Sequence, residues 1–434
     1  MYLATTGRRD ASVPPLTTGA GRRVPGTVLA LGAVSLVTDI SSEMVTAVLP
    51  LYLVLGLGLS PLQFGFLDGL FNGATSFVRL LGAHAADRGH RHKRVAGIGY
   101  ALSACSRLGL LLAGGATAGI AAALATDRVG KGIRTAPRDA LITLSSPPEA
   151  LGRSFGVHRA MDTTGALLGP LAAFALLGAT AGAYDAVFVV SFCVGLLGVL
   201  LLVLYVPGHR PEPTARPAPR TGPTFGTGRT LRTGRTFAAL RDPIFRRILA
   251  AAALLGAATV GDAFVYLLLQ RRLALPVGWF PLLPLGGAAA YLLLAVPAGR
   301  IADRIGRRLP FLYGHFALLG VYAALLVPLG DAPAPLLLLP VLILLGTFYA
   351  TTDGVLMALT GPVLPADGTA GGLALLQTGQ ALAKMLAGVG FGALWTVWGP
   401  NPALWAALSL LCAALVGGWL LLPRTPSAPE RRPA

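Results

Sequence analysis

Residues 299–308 read Gly-Arg-Ile-Ala-Asp-Arg-Ile-Gly-Arg-Arg and fill the short gap between two long apolar stretches. A degraded copy, Gly-Ala-His-Ala-Ala-Asp-Arg-Gly-His-Arg-His-Lys-Arg, occupies residues 82–94, again between two apolar stretches. The aspartates of the two copies, Asp87 and Asp303, lie 216 residues apart, about half of the 434-residue chain. A repeat of this length indicates two related structural units in one polypeptide.

The composition is that of a membrane protein. Hydrophobic residues make up 54% of the chain and charged residues only 12%, whereas a soluble domain carries roughly a quarter charged residues. The net charge is +17, but the basic residues concentrate in the gaps between apolar stretches and at the chain ends. This distribution is typical of the cytoplasmic side of a membrane protein rather than of a nucleic-acid-binding face. We therefore predict an integral membrane protein with no nucleic-acid partner.

The sequence offers no signal of an enzyme or a cofactor. Its three cysteines, Cys105, Cys193 and Cys412, lie inside apolar stretches and form no spaced pair, so we expect neither a disulfide nor a metal site. It contains no Gly-rich phosphate loop, no metal-spaced histidine cluster and no nucleophile elbow. We predict that the protein is not an enzyme, binds no cofactor and is not driven by ATP.

Twelve apolar stretches are each long enough for a membrane-spanning helix, which needs ~20 residues. They occupy residues 27–57, 61–86, 95–113, 117–140, 152–178, 184–206, 243–270, 279–302, 309–329, 335–361, 368–398 and 402–422. The sequence thus predicts an all-α integral membrane protein of 12 transmembrane helices, arranged as two six-helix bundles over residues 26–206 and 242–422.

Three segments fall outside these bundles. Residues 207–241 hold six prolines and a series of arginines, so we interpret them as a basic linker that cannot span lipid. Residues 1–25 are predicted to be a disordered tail, and residues 423–434 a second tail. The N-terminus has the arginines of a signal peptide, but the apolar stretch continues past Asp39 and Glu43 without a clear cleavage site.

The basic residues also predict the orientation. Six spans on either side of the linker place both termini and the linker on one side of the membrane. That side collects the basic residues at 88–94, 134–153 and 304–308, whereas the opposite loops offer little beyond Arg271 and Arg272. The positive-inside rule therefore places both termini and the linker in the cytoplasm of a multi-pass cell-membrane protein.

Residues 299–308 closely resemble the hallmark loop of the major facilitator superfamily, Gly-x-Leu-Ala-Asp-Arg-x-Gly-Arg-Arg. The first copy departs from it, because Ala83 and His90 stand where glycines are expected. The resemblance implies a cytoplasmic turn whose aspartate and basic residues lock one half against the other. The gating residues it implies are Asp87, Arg88, Asp303, Arg304, Gly306, Arg307 and Arg308.

The fourth span is unusually charged. Arg128-x-x-Lys131-Gly132 is similar to the fourth-helix motif Arg-x-x-Gln-Gly of the superfamily, with Lys in place of Gln. Because a charged row facing lipid is very costly, these side chains must face the bundle interior or a wet cavity. We favour a functional role for Arg128 and Lys131, and a structural or gating role for Arg134 and Arg138. The alternative is an ion-pair network that only holds the helices together.

The fifth span contains Gly165, Gly169 and Pro170 in the order Gly-x-x-x-Gly-Pro. This resembles the core of a motif associated with exporters and antiporters, although its trailing Gly-Gly is absent. Small residues four apart permit close helix packing, and proline kinks a helix. On this resemblance we favour export over uptake.

Carboxylates inside spans are the best candidates for proton coupling. Asp39 lies near the middle of the first span, and Glu43 lies one turn above it on the same face. The alternative is that they only hydrogen-bond neighbouring helices. In the second half, Asp262, Asp353 and Lys384 are candidates for substrate or proton binding. A second rank of candidates comprises Asp68, Arg79, Arg107, His158, Arg159, Asp162, Gln377 and Gln380.

The resemblance covers residues 27–422 and implies a cavity between the halves that opens alternately to either side of the membrane. We predict proton-coupled export of a small organic molecule by a monomer whose partners are the substrate, protons and the bilayer. One alternative is an uptake symporter or uniporter for an anionic solute, suggested by the cationic fourth span. Another is a non-transporting membrane sensor that reuses the fold.

Overall fold

The computed structural model describes residues 24–71, 92–146, 151–207, 237–328, 335–352, 355–360, 363–364 and 369–423, and we number its helices in chain order. The first half contains α1 (Gly26–Leu51), α2 (61–71), α3 (His92–Ala113), α4 (Thr117–Ser145), α5 (Leu151–Ala179) and α6 (Tyr184–Tyr205). The second half contains α7 (Pro243–Ala257), α8 (Asp262–Leu273), α9 (Leu282–Ile305), α10 (Arg308–Leu326), α11 (Pro335–Thr352), α12 (Val355–Thr360), α13 (Thr369–Trp398) and α14 (Pro400–Leu421). Each of these helices lies in a predicted span or extends it by a few residues, and the short α12 falls with α11 in the span predicted at 335–361.

Within the described ranges, ten helical stretches are long and apolar enough to cross a bilayer. Two predicted spans are missing from that set for different reasons. The span at 61–86 runs into residues 72–91, which lie outside the described residues. The span formed by α4 is long enough, but its charged residues, Asp127 to Asp139 among them, lower its hydropathy. α4 is therefore unusually charged for a membrane-spanning helix, and its charged side chains need partners inside the protein.

The predicted seventh span is not one helix. It is divided into α7 and α8 by residues 258–261. Tyr322 of α10 stabilises the break, because its hydroxyl accepts the Val260 N–H at 2.8 Å and lies 3.4 Å from the Ala258 carbonyl oxygen. Backbone polar groups inside a membrane must form their hydrogen bonds within the protein. The Tyr322 hydroxyl supplies such bonds to backbone groups at the break.

The first bundle packs through small residues. Helix α1 lies against α5 and α6, and α3 lies against α4 and α6. At the α3–α4 contact, a Cβ added to Gly99 would lie 2.7 Å from the Gly130 carbonyl oxygen, so the two backbones nearly touch. Such close approach is typical of membrane helices, whose association depends on packing rather than on the hydrophobic effect.

The two halves meet where α1 ends and α2 begins. A Cβ at Gly65 of α2 would collide with the backbone of Gly388 of α13, and a Cβ at Gly392 would collide with that of Pro61. Around this seam, aromatic rings from both halves pack edge to face, for example Phe64 against Phe264 with ring centroids 4.8 Å apart. On the other flank, Phe174 of α5 contacts Trp279, which precedes α9, at 6.5 Å between centroids.

Candidate functional site

The charged side chains of α4 form two clusters inside the first bundle. The upper cluster centres on Asp127, which is buried between two arginines. Nη1 of Arg107 lies 2.5 Å from Oδ1 of Asp127, and Arg128 pairs with Oδ2 of the same carboxylate. Arg107 also donates to Ser42 of α1 at 2.9 Å, and Ser103 of α3 donates to Asp127 at 2.9 Å. This cluster joins α1, α3 and α4, and it fits the structural role of an ion-pair network.

The lower cluster joins α4 to α1 and α5. Nη2 of Arg134 lies 3.5 Å from Oδ1 of Asp39, and Nη1 of Arg138 lies 3.6 Å from Oδ1 of Asp162. The carboxyl groups of Asp39 and Asp162 are neighbours in this cluster. Arg138 also binds Asp139 at 3.0 Å, and the guanidinium of Arg134 stacks over the ring of Tyr100 at 4.6 Å.

Lys131 lies between the two clusters on the same face of α4. The carboxylates whose charges act on it are Glu43 and Asp39 of α1, and the cations are Arg128 and Arg134. The structure thus brings together four of the residues that the sequence singled out in the first half: Asp39, Glu43, Arg128 and Lys131. Arg128 differs from the rest because its guanidinium stacks on Phe71 of α2, 3.7 Å from the ring centroid.

In the second half, Asp262 occupies the first position of α8, just after the break in the seventh span. The charge of Lys384 in α13 acts on its carboxylate, and the side chain of Tyr349 in α11 lies beside it. The Ala263 N–H donates to Oδ1 of Asp262 at 3.1 Å. Asp262 and Lys384 are therefore neighbours, while Asp353 lies outside the described residues.

The loop residues can be placed only in part. Asp87 and Arg88 lie outside the described residues, as does the side chain of Asp303, whose backbone is in α9. Gly306 ends α9 with φ at 88°, a conformation that favours glycine. Arg308 begins α10, donates to the Trp419 carbonyl and stacks on the Trp419 ring at 4.7 Å. Arg304 is exposed and Arg307 half-buried.

The glycines of the fifth span face α1. A Cβ at Gly165 would collide with the Leu36 backbone, and a Cβ at Gly169 would lie 2.6 Å from the Cβ of Glu43. Pro170 follows inside α5 and is buried. These residues therefore set how closely Asp39 and Asp162 approach, since α1 and α5 carry one of these carboxyl groups each.

Sequence reasoning placed some residues of these clusters in the second rank and did not choose others. Arg107 and Asp162 stood in the second rank, and Tyr349 was not chosen. The available signal for Arg107 and Asp162 was a charge inside an apolar span, which alone says nothing about its partner. For Asp162, Arg159 three residues earlier suggested local neutralisation, and the two do contact at 3.2 Å. The side chain of Arg159 is 78% exposed, however, whereas that of Asp162 is only 17% exposed. The contact with Arg159 therefore does not explain why the carboxylate of Asp162 points into the bundle.

Comparisons with known proteins agree with this architecture. An uncharacterised MFS-type transporter of Methanocaldococcus jannaschii is 32% identical over 193 residues, which is 44% of this chain and 47% of that protein. The match thus spans about half the length of the relative. The nucleoside transporter NupG has the same fold with a TM-score of 0.74 at 13% identity, over 91% of this chain and 98% of that one. An inward-facing bacterial homologue of the human lysosomal transporter Spinster gives 0.69 at 18% identity, over 91% and 96%.

The family follows from a match along almost the whole sequence. The profile of the Major Facilitator Superfamily matches residues 31–290 and 277–434. This confirms the predicted twelve-helix fold class and the location in the cell membrane, and it identifies a family of transporters rather than enzymes. The orientation of the termini stays a prediction. By this match and the fold it shares with transporters of known structure, the chain belongs to the Major Facilitator Superfamily.

Proposed function

We propose that the protein is a secondary transporter that exports a small organic molecule in exchange for protons. The observation that carries the proposal is the ion pair between Asp39 and Arg134, which are 3.5 Å apart and largely shielded from solvent and which link α1 to α4. Asp39 is the fourteenth residue of α1, about 20 Å from its start at 1.5 Å per residue. An ionisable group at this depth is costly and marks a functional site by default.

Alternating access gives this carboxyl group a role. Among the described residues, the close contacts of α2 with α8 and α13 and of Phe174 with Trp279 lie at the end of the molecule that the positive-inside rule assigns to the outside. With that orientation, the conformation is closed outside, and Asp39, with 14% of its side chain exposed, exchanges protons with the cytoplasm. In the conformation that is open outside, Asp39 would take up a proton from the external medium. Release of that proton into the cytoplasm would then drive export of the substrate.

The second half supplies an opposing polar surface. Asp262, Lys384 and Tyr349 provide an anion, a cation and a hydroxyl near the break between α7 and α8. In our proposal these groups orient the polar atoms of the substrate, while Glu43 and Lys131 face them from the first half. The neighbours of known structure include nucleoside and peptide transporters, which is consistent with a polar organic substrate in this chain.

The test is a measurement of internal pH in proteoliposomes while a panel of organic solutes is added. We expect solute-dependent proton movement in the wild type and its loss in Asp39→Asn, because the amide cannot carry a proton across. Glu43→Gln tests the second carboxylate of α1 in the same way. Asp185→Asn, which neutralises an exposed carboxylate at the start of α6, is the matched control and should behave like the wild type. Proton movement that survives in Asp39→Asn contradicts the assignment.

Uptake of an anionic solute is the second candidate, and the cations of α4 favour it. Lys131 has Arg128 and Arg134 beside it on one face, and such a row can bind a carboxylate or phosphate. The direction of coupled flux separates the two candidates: solute and protons move in opposite directions in export by exchange, and in the same direction in symport. A sensor that reuses the fold would move neither.

A further inference from the structure

The face of α2 that meets the second half carries one carboxylate. Phe64 packs against Phe264 of α8, with ring centroids 4.8 Å apart. Further along the same face, a Cβ added to Gly69 would lie 2.7 Å from Cγ of Met385 in α13. Asp68 follows Phe64 by four residues, so it lies on this face as well, and it is half-buried. A carboxylate inside a membrane span is costly, so its position in this contact calls for a partner across the two halves.

The carboxylate of Asp68 lies against the backbone at the start of α8. A Cβ added to Gly261 would lie 2.9 Å from Oδ2 of Asp68, and the described residues offer this Cβ no second atom within 4 Å. Gly261 is the N-cap residue of α8, which runs for twelve residues from Asp262. The N-terminus of a helix carries a partial positive charge that attracts carboxylates. Asp68 therefore places a negative charge from the first half at the positive end of a helix of the second half.

The start of α8 is fixed to its own half. The hydroxyl of Tyr322 in α10 accepts the Val260 N–H at 2.8 Å. The carboxylate of Asp262 accepts the N–H of its neighbour Ala263 at 3.1 Å and so stays with its own helix. The contact of Asp68 with Gly261 is thus a contact between the halves. It must break whenever they separate at the end of the molecule that the positive-inside rule assigns to the outside, here called the outer end.

The glycine at position 261 serves this contact rather than the backbone conformation. Its φ and ψ are −60° and 143°, a region that any residue except one restricted by its own ring adopts without strain. A side chain at this position would instead occupy the place of the Asp68 carboxylate. The absent side chain therefore makes room for a group from the other half.

We infer that Asp68 is a gating residue that holds the outer end closed by binding the start of α8 across the two halves. The inference deepens the proposed function and rests on it for its place in the transport cycle. Opening of the outer end then requires the release of a carboxylate from a helix N-terminus, in addition to separation of the tightly packed surfaces of α2 and α13. The role of Asp68 lies in the balance between the closed and open conformations, not in carrying a proton.

The distance between the halves at the outer end reports this balance without a substrate. Spin labels can be attached through Ala116→Cys, between α3 and α4, and Asn401→Cys, at the start of α14, because both residues are exposed and lie at the outer ends of their halves. The background has Cys105, Cys193 and Cys412 replaced, since all three are exposed. Double electron–electron resonance of the labelled protein in lipid nanodiscs then gives the populations with short and long distances.

Asp68→Asn keeps the shape of the side chain and removes its charge. We expect the ratio of open to closed protein to rise roughly two- to thirtyfold, the range for loss of a charge at a helix end. Asp185→Asn, which neutralises an exposed carboxylate at the start of α6, should leave the ratio as it is in the labelled parent. An unchanged ratio in Asp68→Asn overturns the inference. So does a loss of thermal stability without a change in the ratio, because that result indicates a purely structural role.

Gly261→Ala tests the same contact from the other half and does not depend on the folding of Asp68→Asn. The added methyl group must displace the carboxylate, so we expect the same shift towards the open form. In the Asp68→Asn background it should add much less, because both changes break one contact. Gly278→Ala, whose methyl group would have no described atom within 4 Å, should not shift the ratio. Fully additive effects of the first two changes would overturn the assigned contact.

The proteoliposome assay separates this inference from the proposed function. If the distances shift as expected but the wild type shows no solute-dependent proton movement, the proposed coupling fails and the gating role of Asp68 stands. If the wild type couples solute to protons and Asp68→Asn leaves the distances unchanged, the gating role is overturned and the coupling stands.

Discussion

Arg107 connects three helices of the first bundle through a single buried guanidinium group. Its side chain is 2% exposed, and its guanidinium contacts Asp127, Ser42 and Ser106 from α4, α1 and α3. Its Nε finds no hydrogen-bond partner among the described residues. Burying a charge costs several kcal/mol, which is repaid only by good partners. The upper cluster therefore depends on both of its arginines to compensate Asp127.

We predict that Arg107→Met strongly destabilises the protein. Asp127 would keep Arg128 as its cation and the hydrogen bond from Ser103, and removing one partner of a buried ion pair typically costs about 3–5 kcal/mol. Thermal unfolding of the purified protein measures the loss. Arg246→Ala, which removes an exposed arginine of α7, should change stability by less than about 1 kcal/mol. Equal stability of the two variants would contradict the structural role assigned to the upper cluster.

At the scale of elements, the contact between α1 and α5 depends on glycine. Gly165 meets the Leu36 backbone, whereas Gly178 on the same helix has no atom within 4 Å of an added Cβ. We predict that Gly165→Ala lowers thermal stability and that Gly178→Ala does not, although both replace glycine by alanine in α5. Solute-dependent proton movement should also fall in Gly165→Ala alone, because α1, which carries Asp39, must move away from α5. Identical behaviour of both variants would show that this packing is not tight.

The sequence predicts some elements better than others, and the reason is physical. The spans and the hallmark loop at 299–308 are local patterns, so hydropathy and motif suffice to find them. The break between α7 and α8 is not local, since residues 258–261 include apolar alanine and valine, and the stabilising hydroxyl belongs to Tyr322. The ion pair between Arg134 and Asp39 likewise joins residues 95 positions apart. Hydropathy indicates that both charges lie within apolar spans but not that they meet.

At the scale of the molecule, the contact between α2 and α13 closes one end of the interface between the two halves. The Leu62 N–H donates to Oγ1 of Thr396 at 3.1 Å across the two halves. Because this contact brings Leu62 and Thr396 side by side, cysteines at the two positions are candidates for a disulfide, whose Cα atoms are usually ~4.4–6.8 Å apart. Because alternating access requires the closed end to open, a covalent link here should trap the protein in this conformation.

We predict that Leu62→Cys together with Thr396→Cys forms a disulfide in membranes under mild oxidation and that the cross-linked protein loses solute-dependent proton movement. The background needs Cys105, Cys193 and Cys412 replaced, because all three are exposed. Reduction should restore movement, and each single cysteine variant should retain it under oxidation. Full transport by the cross-linked protein would show that transport does not require this end to open.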